Sequence, residues 1–471
     1  MTTQTASPSL RWYDYLPINI NWFALTMRSQ VLAGLVVPLL VQDFVGDAQK
    51  GAYFGAIRLW ALMVALLAQA LFGLLSDRSR LKWGRRRPFI FVSAILESFV
   101  ILGLAWIAGL EGLTGYTILF WAYILSMVLA NMSHAATQGI IPDVVPQEKR
   151  GIASGLKMLL EIPLPLVLVG LVIAPMVSRG NLFSALIVTA VAMLACMGLT
   201  LFVREKRLET VPPPLDWKPF TSLVMMTGVF TAIVLGLGEM VKFSIAALPE
   251  ASHLVFGAIG VTAMLVAVVV GIFASLSVHL DQTVRQSRVF IWFIISRLAA
   301  LVAINNISSF LLYFFQEKFD LPAKQAVSLA GQLPMVLGGF VILFGLLAGW
   351  LSDRFDRRIL SAVGGLIGAV GVAVMIFGPN IPTMYAAAAI IGLAYSLFNV
   401  ASWALGTDII PKERAGEFLG LQNLAGAGAG AIGAYIGGTV ADQSGYVLMM
   451  GMFGVMFLLA AGSALFIKVE K

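Results

Sequence analysis

Long apolar runs recur along this chain of 471 residues from about Leu32 to Ile467, and the loops between them are short. Each run is about 20 residues long, which is the length that a helix needs to cross the hydrocarbon core of a bilayer. A transmembrane β-barrel would instead show weaker segments of about ten residues with alternating polarity. Charged residues make up only 12% of the chain, whereas soluble domains carry about a quarter. The sequence therefore predicts an all-α polytopic membrane protein.

The apolar runs predict fourteen spans. The predicted spans lie at about 24–45, 52–75, 88–109, 115–140, 151–175, 181–203, 223–246, 254–277, 291–315, 327–351, 359–378, 382–407, 416–440 and 446–467. The seventh run is weaker because it carries Glu239 and Lys242, which we expect to pair with each other. One extra crossing would invert the topology of all later spans, so the seventh and eighth runs either both span or form a peripheral hairpin. We expect both to span, and twelve spans are the alternative.

Most of the 31 Lys and Arg residues lie in loops that fall on one side of this topology. Such an asymmetry marks the cytoplasmic side of a membrane protein. It predicts that both termini lie in the cytoplasm, that the protein resides in the cell (plasma or inner) membrane, and that the net charge of +7 reflects topology and not a nucleic-acid partner. The cationic residues inside or at the edge of spans are Arg28, Arg58, Lys157, Lys242 and Arg297.

Several chemistries are disfavoured by what is scarce in the sequence. The chain has one cysteine, Cys196, and its three histidines lie far apart, which excludes a disulfide framework and disfavours a metal centre. No pairing of a nucleophile with a base is evident, and the N-terminal residues lack the pattern of a removable signal peptide. We therefore expect no metal, no cofactor and no enzyme activity.

Two loop motifs occur twice in the same order, which indicates an internal repeat. Gly-Leu-Leu-Ser-Asp-Arg at 73–78 returns as Gly-Trp-Leu-Ser-Asp-Arg at 349–354. Asp-Val-Val-Pro-Gln-Glu-Lys-Arg at 143–150 returns as Asp-Ile-Ile-Pro-Lys-Glu-Arg at 408–414. The repeat predicts two copies of a six-helix bundle.

The repeat also predicts the organisation of the chain into three parts. The N-terminal bundle is expected at 1–203 and the C-terminal bundle at 291–471. Residues 204–290 begin with a charged, proline-rich linker and then supply the two central apolar runs. We expect this part to be a cytoplasmic linker followed by an inserted transmembrane hairpin.

Two parallel six-helix bundles with a basic loop after the second helix of each resemble the transporters of the major facilitator superfamily. The superfamily's loop signature is similar to Gly73, Asp77, Arg78, Gly84, Arg85 and Arg86. The longer stretch from Ser76 to Ile90 resembles the corresponding loop of the sucrose and glycoside–pentoside–hexuronide cation symporters. The resemblance implies secondary active transport of a sugar or glycoside by alternating access, coupled to protons.

Charged residues at the basic ends of the second and tenth spans are candidate gating groups. They are Asp77, Arg78, Arg85, Arg86, Asp353 and Arg354. A carboxylate there can accept hydrogen bonds from arginine or from an exposed helix N-terminus, and so hold the two halves in one state. The alternative is that the arginines only enforce topology.

Ionisable residues within the bilayer are costly, which makes them candidates for proton coupling. Lys157 and Glu161 lie four residues apart, on one helical face near the midplane, with Glu161 as the proton acceptor. Glu97 has no local partner and is a second candidate. Asp43 and Arg58, near the outer ends of the first two spans, are predicted to pair, with Asp43 a third coupling candidate and Arg58 a gating group. Structural pairing is the alternative for each of these groups.

Polar residues recur at helical spacing in the fourth and twelfth spans. The fourth carries Asn131, His134 and Gln138, and the twelfth carries Tyr395, Asn399 and Trp403. Amide groups and aromatic faces suit a sugar, although they also stabilise helix contacts. The candidate substrate-binding residues are Gln42, Asn131, His134, Lys157, Asn305, Asn399 and Trp403.

Other functions of the same fold remain open at the level of sequence. The chain could be a non-transporting membrane assembly or pigment-delivery factor, or a transporter of a drug-like or lipid substrate. We expect its partners to be a small molecule, protons and the lipid bilayer, and we expect a monomer.

Overall fold

The computed structural model of this protein is built of helices. It describes residues 10–205, 212, 214, 217–279, 288–409 and 415–467, without the side chains of 275–279, 407 and 415–424. In this described part no strand occurs, and thirteen helices are long and apolar enough to cross a membrane. Ala415–Ser444 is a further helix of 30 residues. The predicted all-α membrane fold is confirmed.

The helices, numbered along the chain, follow the predicted spans. They are α1 (Trp12–Val45), α2 (Lys50–Asp77), α3 (Arg87–Ile107), α4 (Gly112–Val144), α5 (Gln147–Ser178), α6 (Leu182–Thr200), α7 (Lys218–Ala247), α8 (His253–His279), α9 (Arg288–Ile307), α10 (Ala323–Arg354), α11 (Arg357–Phe377), α12 (Ile381–Ile409), α13 (Ala415–Ser444) and α14 (Tyr446–Leu465). A short helix, Leu311–Phe319, continues α9 after a break. We call the end of the molecule that carries the loop 78–86 the basic end, and the opposite end the outer end.

The two bundles meet through two helix pairs, α2 with α13 and α5 with α10. In the first pair, a Cβ atom on Gly55 would overlap the carbonyl oxygen of Ala434. In the second pair, a Cβ atom on Gly331 would overlap the Cβ atom of Ala174. Small residues at both contacts let the helix backbones approach closely. Since α10 repeats α2 and α13 repeats α5, the two contacts are equivalent under the repeat.

The central helices α7 and α8 are both long and apolar enough to span the membrane, which favours the fourteen-span topology. They pack on α13, with α7 also against α2 and α8 also against α14. The ring of Phe230 on α7 lies against Gly428 of α13 and Gly271 of α8. The pair therefore flanks the contact between the bundles and does not separate them.

The predicted pairing of Glu239 with Lys242 is confirmed, and it extends to a third residue. Lys242 Nζ lies 2.6 Å from Glu239 Oε1, and the Tyr435 hydroxyl donates to the same oxygen at 2.6 Å. Tyr435 belongs to α13, so this polar group fastens α7 to the second bundle.

Candidate substrate site and gates

The outer end joins the two bundles through a carboxylate that caps a helix. Asp442 of α13 accepts hydrogen bonds from the backbone N–H groups of Gly51 and Ala52, both at 2.7 Å. These are free N–H groups of the first turn of α2, where a negative charge is also favoured by the helix dipole. Nearby, the Tyr313 hydroxyl donates to the carbonyl of Pro38 at 2.6 Å. Residues of the second bundle thus join it to the first bundle and close the outer end of the molecule.

A buried lysine adds to this closure. Lys50 Nζ donates to Asp47 and to Gln316 Oε1, each at 2.8 Å, and Gln316 in turn donates to Gln42 at 2.9 Å. The hydrogen bond from Lys50 lowers the pKa of Asp47. Gln42 was predicted to bind substrate, but its position in the last turn of α1 places it among these closing contacts. We call the contacts of Asp442, Tyr313, Lys50, Gln316 and Gln42 the outer seal.

The predicted pair of Asp43 with Arg58 is not formed in the described part of the chain. Arg58 is buried, and its guanidinium carbon lies 5.8 Å from the centroid of the Phe54 ring. Asp43 is exposed at the end of α1. Arg58 lies about two turns below the start of α2, so the two side chains are at different depths.

At the basic end, the first bundle has one arginine between two aspartates. Arg86 forms an ion pair with Asp77 and donates to Asp143 at 2.9 Å. Arg85 pairs with the same Asp143. These residues end α2 and α4 and begin α3, so the Asp77 contact that is described lies within one bundle and does not cross to the other.

The second bundle repeats this cluster although its loop lacks the glycine of the signature. Arg357 lies 4.0 Å from Asp353 and 2.6 Å from Asp408, which end α10 and α12. Arg354 is turned away, with its guanidinium carbon 4.2 Å from the ring centroid of Trp350. The charge arrangement is therefore kept where the loop backbone has changed.

The linker is held against the first basic loop. Glu205 accepts hydrogen bonds from the backbone N–H groups of Arg86 at 2.8 Å and Arg87 at 3.1 Å, at the start of α3. Burial raises the pKa of Glu205. Arg78 donates to the carbonyl of Pro214 at 3.2 Å. Movement of the loop between α2 and α3 would therefore move the linker or break these hydrogen bonds.

Replacing Asp356 by alanine is expected to lower the free energy of unfolding by about 1 kcal/mol at pH 7. Asp356 caps α11 by accepting from the Arg358 N–H at 2.9 Å, and the hydrogen bonds from Arg358 lower its pKa from 3.8 to about 2. Its contribution is complete above pH 3.8 and is lost as the pH falls towards 2. Thermal unfolding in detergent measures the loss. Asp353→Ala is the control, since that carboxylate is 80% exposed and lies 4.0 Å from its partner Arg357. Equal losses of stability in the two variants would contradict the capping role of Asp356.

Between the two ends, the first bundle brings together charged and aromatic groups from α1, α4 and α5. Lys157 Nζ lies 3.4 Å from Glu161 Oε2, which confirms that pair, and 3.9 Å from the ring centroid of Trp22. The His134 ring packs edge-on against Trp22 at 5.2 Å, and Gln138 lies 3.2 Å from His134. About a third of the side chain is exposed for both Lys157 and Glu161, so this face borders open space.

The second bundle presents a facing group from α9 and α12. Arg297 Nη1 donates to Ser402 Oγ at 3.0 Å, and its guanidinium carbon lies 4.7 Å from the ring centroid of Trp403. Trp403 is 42% exposed. Tyr395 lies within electrostatic range of both Arg297 and Glu161. Tyr395 thus places this group near Glu161 of the first bundle, and we call the residues of both groups the central site.

Of three other predicted substrate residues, Asn131 and Asn305 form hydrogen bonds to helix backbones, and Asn399 lies near the central site. Asn131 donates to the carbonyl of Met127 in its own helix at 2.8 Å. Asn305 donates to the Gly426 carbonyl of α13 at 3.2 Å, which makes it a contact between α9 and α13. Asn399 is half-buried one turn before Trp403.

Glu97 has a partner that local sequence did not indicate. It forms an ion pair with Arg28 of α1, 69 positions away, and accepts a hydrogen bond from Ser126 at 2.9 Å. The side chains of Arg28 and Glu97 are 4% and 2% exposed. Tyr123 covers the guanidinium, with its ring centroid 6.0 Å from the guanidinium carbon. The pair lies inside the first bundle.

Two residues of the central site, Trp22 and Arg297, are absent from the predicted binding residues. Arg297 was identified only as a cation within a span, and Trp22 lies just before the first predicted span, 24–45. No group of three or more His, Cys, Asp or Glu in the described ranges is arranged to hold a metal ion.

Comparison with known proteins identifies the family. Residues 20–434 match the Major Facilitator Superfamily, and residues 293–471 match it again. The chain belongs to this superfamily. It is thus a multi-pass membrane protein of the transporter type and not an enzyme, as the sequence predicted.

Relatives within the superfamily are similar over limited segments. A segment of 87 residues is 32% identical to the minor myo-inositol transporter IolF of Bacillus subtilis (strain 168), covering 18% of this chain and 20% of that protein. Another of 141 residues is 26% identical to the lysosomal dipeptide transporter MFSD1 of Mus musculus, covering 30% of this chain and 29% of that protein. The chain therefore matches less than a third of either relative's length.

The fold as a whole is similar to a solved member of the superfamily. The crystal structure of the peptide transporter POT in complex with sulfate matches with a TM-score of 0.67 and 16% identity, covering 98% of this chain and 96% of that one. At this identity the likeness shows a shared fold.

Proposed function

We propose that this transporter moves a sugar or glycoside by alternating access and is a proton-coupled symporter. The central site carries the proposal, because it combines exposed aromatic surface with polar groups at the depth where the bundles face each other. Trp403 offers an exposed ring face, whereas Trp22 is buried against Lys157 and His134. His134 and Gln138 offer groups that can bond hydroxyls. The loop from Ser76 to Ile90 and the similarity to a myo-inositol transporter support a polyol substrate.

Alternating access is supported by the position of the polar contacts between the bundles. The cross-bundle hydrogen bonds of the described residues lie in the outer seal, whereas the charge clusters at the basic end lie within single bundles. Such a molecule is closed at the outer end. With the basic end in the cytoplasm of the cell, it would release substrate inwards, and breaking the outer seal would begin the next uptake cycle.

Glu161 is the proposed proton acceptor. It borders open space in the central site, and Lys157 forms an ion pair with it from one turn away. Protonation of Glu161 would free Lys157 to bind a substrate hydroxyl, which couples the proton to the sugar. Glu97 remains a second candidate, although its pairing with Arg28 suits a structural role. Asp43 is exposed near the outer seal and is the third.

Proton-driven uptake into proteoliposomes tests this function. With the interior alkaline, labelled disaccharide or myo-inositol is expected to accumulate, and a protonophore should abolish the accumulation. Glu161→Gln should keep sugar exchange between equal pools but lose accumulation at least about tenfold, because only net transport needs the proton. Glu239→Gln is the matched control, since that carboxylate lies on α7 away from the central site. Absence of uptake for every glycoside would refute the proposal, and a co-purifying protein or pigment would favour an assembly factor.

A dipeptide is the second candidate substrate. It is favoured by the similarity to the dipeptide transporter MFSD1 and by the charges of both signs in the central site, Glu161 from one bundle and Arg297 from the other. A labelled dipeptide in the same proteoliposomes separates the two candidates. Accumulation of dipeptide and not of sugar would decide for it.

A further inference from the structure

Arg297 is a buried cation that has no carboxylate partner among the described residues. It is 5% exposed, in the interior of a membrane protein, where an unpaired charge is costly. Its Nη1 donates to a neutral hydroxyl, Ser402, and its Nε has no hydrogen-bond partner in the structure. None of the ion pairs found among the described residues includes Arg297. The charge is therefore uncompensated within the part of the chain that the structure describes.

In the first bundle, the arginine at the equivalent position, Arg28, has a carboxylate partner and a structural role. Arg28 and Arg297 lie on the first helix of their bundles, and their spacing falls between the spacings of the two repeated loop motifs. Arg28 pairs with Glu97 of α3 and also bonds Ser126 of α4. The counterpart of α3 is α11, which contains no acidic residue. The second bundle keeps the arginine and the hydroxyl but lacks the counter-charge.

The surroundings of Arg297 lie beside open space. The Trp403 ring lies against the guanidinium and is 42% exposed, and Tyr395 links this face electrostatically to Glu161. Lys157 and Glu161 neutralise each other, so Arg297 leaves the central site with one unbalanced positive charge. A guanidinium presents paired N–H donors that match the two oxygens of a carboxylate.

We propose that Arg297 binds a carboxylate group of the substrate, with Trp403 stacked beside it. The inference rests on the proposed function and narrows it, because it assigns an acidic member of the substrate class. The carboxylate could belong to a sugar acid or to the C-terminus of a dipeptide. In both cases the substrate supplies the counter-charge that Glu97 supplies in the first bundle.

Matched pairs of ligands test the carboxylate directly on the purified full-length protein. The pairs are glucuronate with glucose, and alanyl-alanine with its C-terminal amide. Binding is measured by thermal shift and by competition with uptake. In the pair that binds, the carboxylate form is expected to bind at least about tenfold more tightly than the neutral form. The carboxylate forms a desolvated charge pair with Arg297, whereas the neutral ligand leaves the arginine as an unpaired cation. The pair that responds identifies the source of the carboxylate.

Variants of the site separate this role from a structural one. Arg297→Met should remove the preference for the carboxylate form while leaving the neutral form bound, and Arg297→Lys should keep part of it. Ser402→Ala retains the charge of Arg297 and removes the hydroxyl that orients it, so a severalfold loss of the preference for the carboxylate form is expected. This variant tests the role of Arg297 if Arg297→Met fails to fold. Lys242→Met on α7 is the matched control, because it removes a membrane cation that already has a partner.

The outcomes distinguish this inference from the proposed function. Equal binding of acidic and neutral ligands by the wild type, or an unchanged preference in Arg297→Met, would overturn the role of Arg297 while transport of a neutral glycoside could stand. Loss of uptake for every ligand would instead remove the transport function on which the inference rests.

Discussion

Replacing Glu97 by alanine is expected to lower the free energy of unfolding by about 3–5 kcal/mol. The carboxylate neutralises Arg28 inside the first bundle, where both side chains are almost fully buried. Ser126 and Tyr123 offer the guanidinium only uncharged contacts once the carboxylate is gone. Arg28 is held on α1 by the surrounding helices and cannot extend to water. Thermal unfolding of the purified protein in detergent, followed by circular dichroism, measures the loss.

Two further variants show whether the loss comes from the unpaired charge. The double variant Arg28→Met with Glu97→Gln removes both charges and should recover most of the stability. Glu239→Ala breaks an ion pair whose side chains are 40% and 61% exposed, and Lys242 keeps the Tyr435 hydroxyl as a partner, so the loss should be smaller. If Glu97→Ala were as stable as Glu239→Ala, the buried pair would contribute nothing. If the double variant were stable but lost proton-driven uptake, Glu97 would instead take part in coupling.

The fold followed from the sequence because its signals are properties of whole segments. The length of each apolar run indicates a membrane helix, and the repetition of 73–78 as 349–354 indicates the duplication, whatever the neighbours of any single residue. The strong apolar run of α8 favoured a crossing by its weaker neighbour α7, since crossings must come in pairs to preserve topology.

Contacts along one helix were also predictable, whereas contacts between helices were not. Lys157 with Glu161 follows from a spacing of four residues within α5. The stacking of Trp22 on Lys157 and the pairing of Arg28 with Glu97 depend on which faces meet, which helical spacing does not specify. For the same reason, the sequence does not distinguish a polar residue that borders a cavity from one that joins two helices.

The outer seal illustrates the difference for gating. The sequence predicted that a carboxylate such as Asp77 would hold the two halves in one state by accepting hydrogen bonds from a helix N-terminus or from arginine. The structure shows such a cap at the other end, made by Asp442 on α2, while Asp77 pairs with Arg86 in its own bundle. The chemistry was inferable, but the location depended on Gly51 meeting α13, which no loop motif records.

Gly55→Ala is expected to reduce the population closed at the outer end at least about tenfold, which corresponds to about 1.4 kcal/mol. The added Cβ would overlap the backbone carbonyl of Ala434, and a backbone atom in a packed helix cannot move aside as a flexible side chain can. The α2–α13 contact would be forced apart, and Asp442 would lose its hold on α2. The state open at the outer end lacks this overlap and should therefore gain population.

Spin labels on the two bundles report this shift. Ala48→Cys and Lys324→Cys place labels at exposed positions of the outer end, and Cys196→Ser removes the chain's single native cysteine. Pulsed electron double resonance should then show a longer distance for Gly55→Ala than for the parent. Gly73→Ala makes the same change on the same helix where nothing lies within 4 Å, so it should leave the distance unchanged. Equal distances in all three proteins would mean that the approach of α2 to α13 does not control opening.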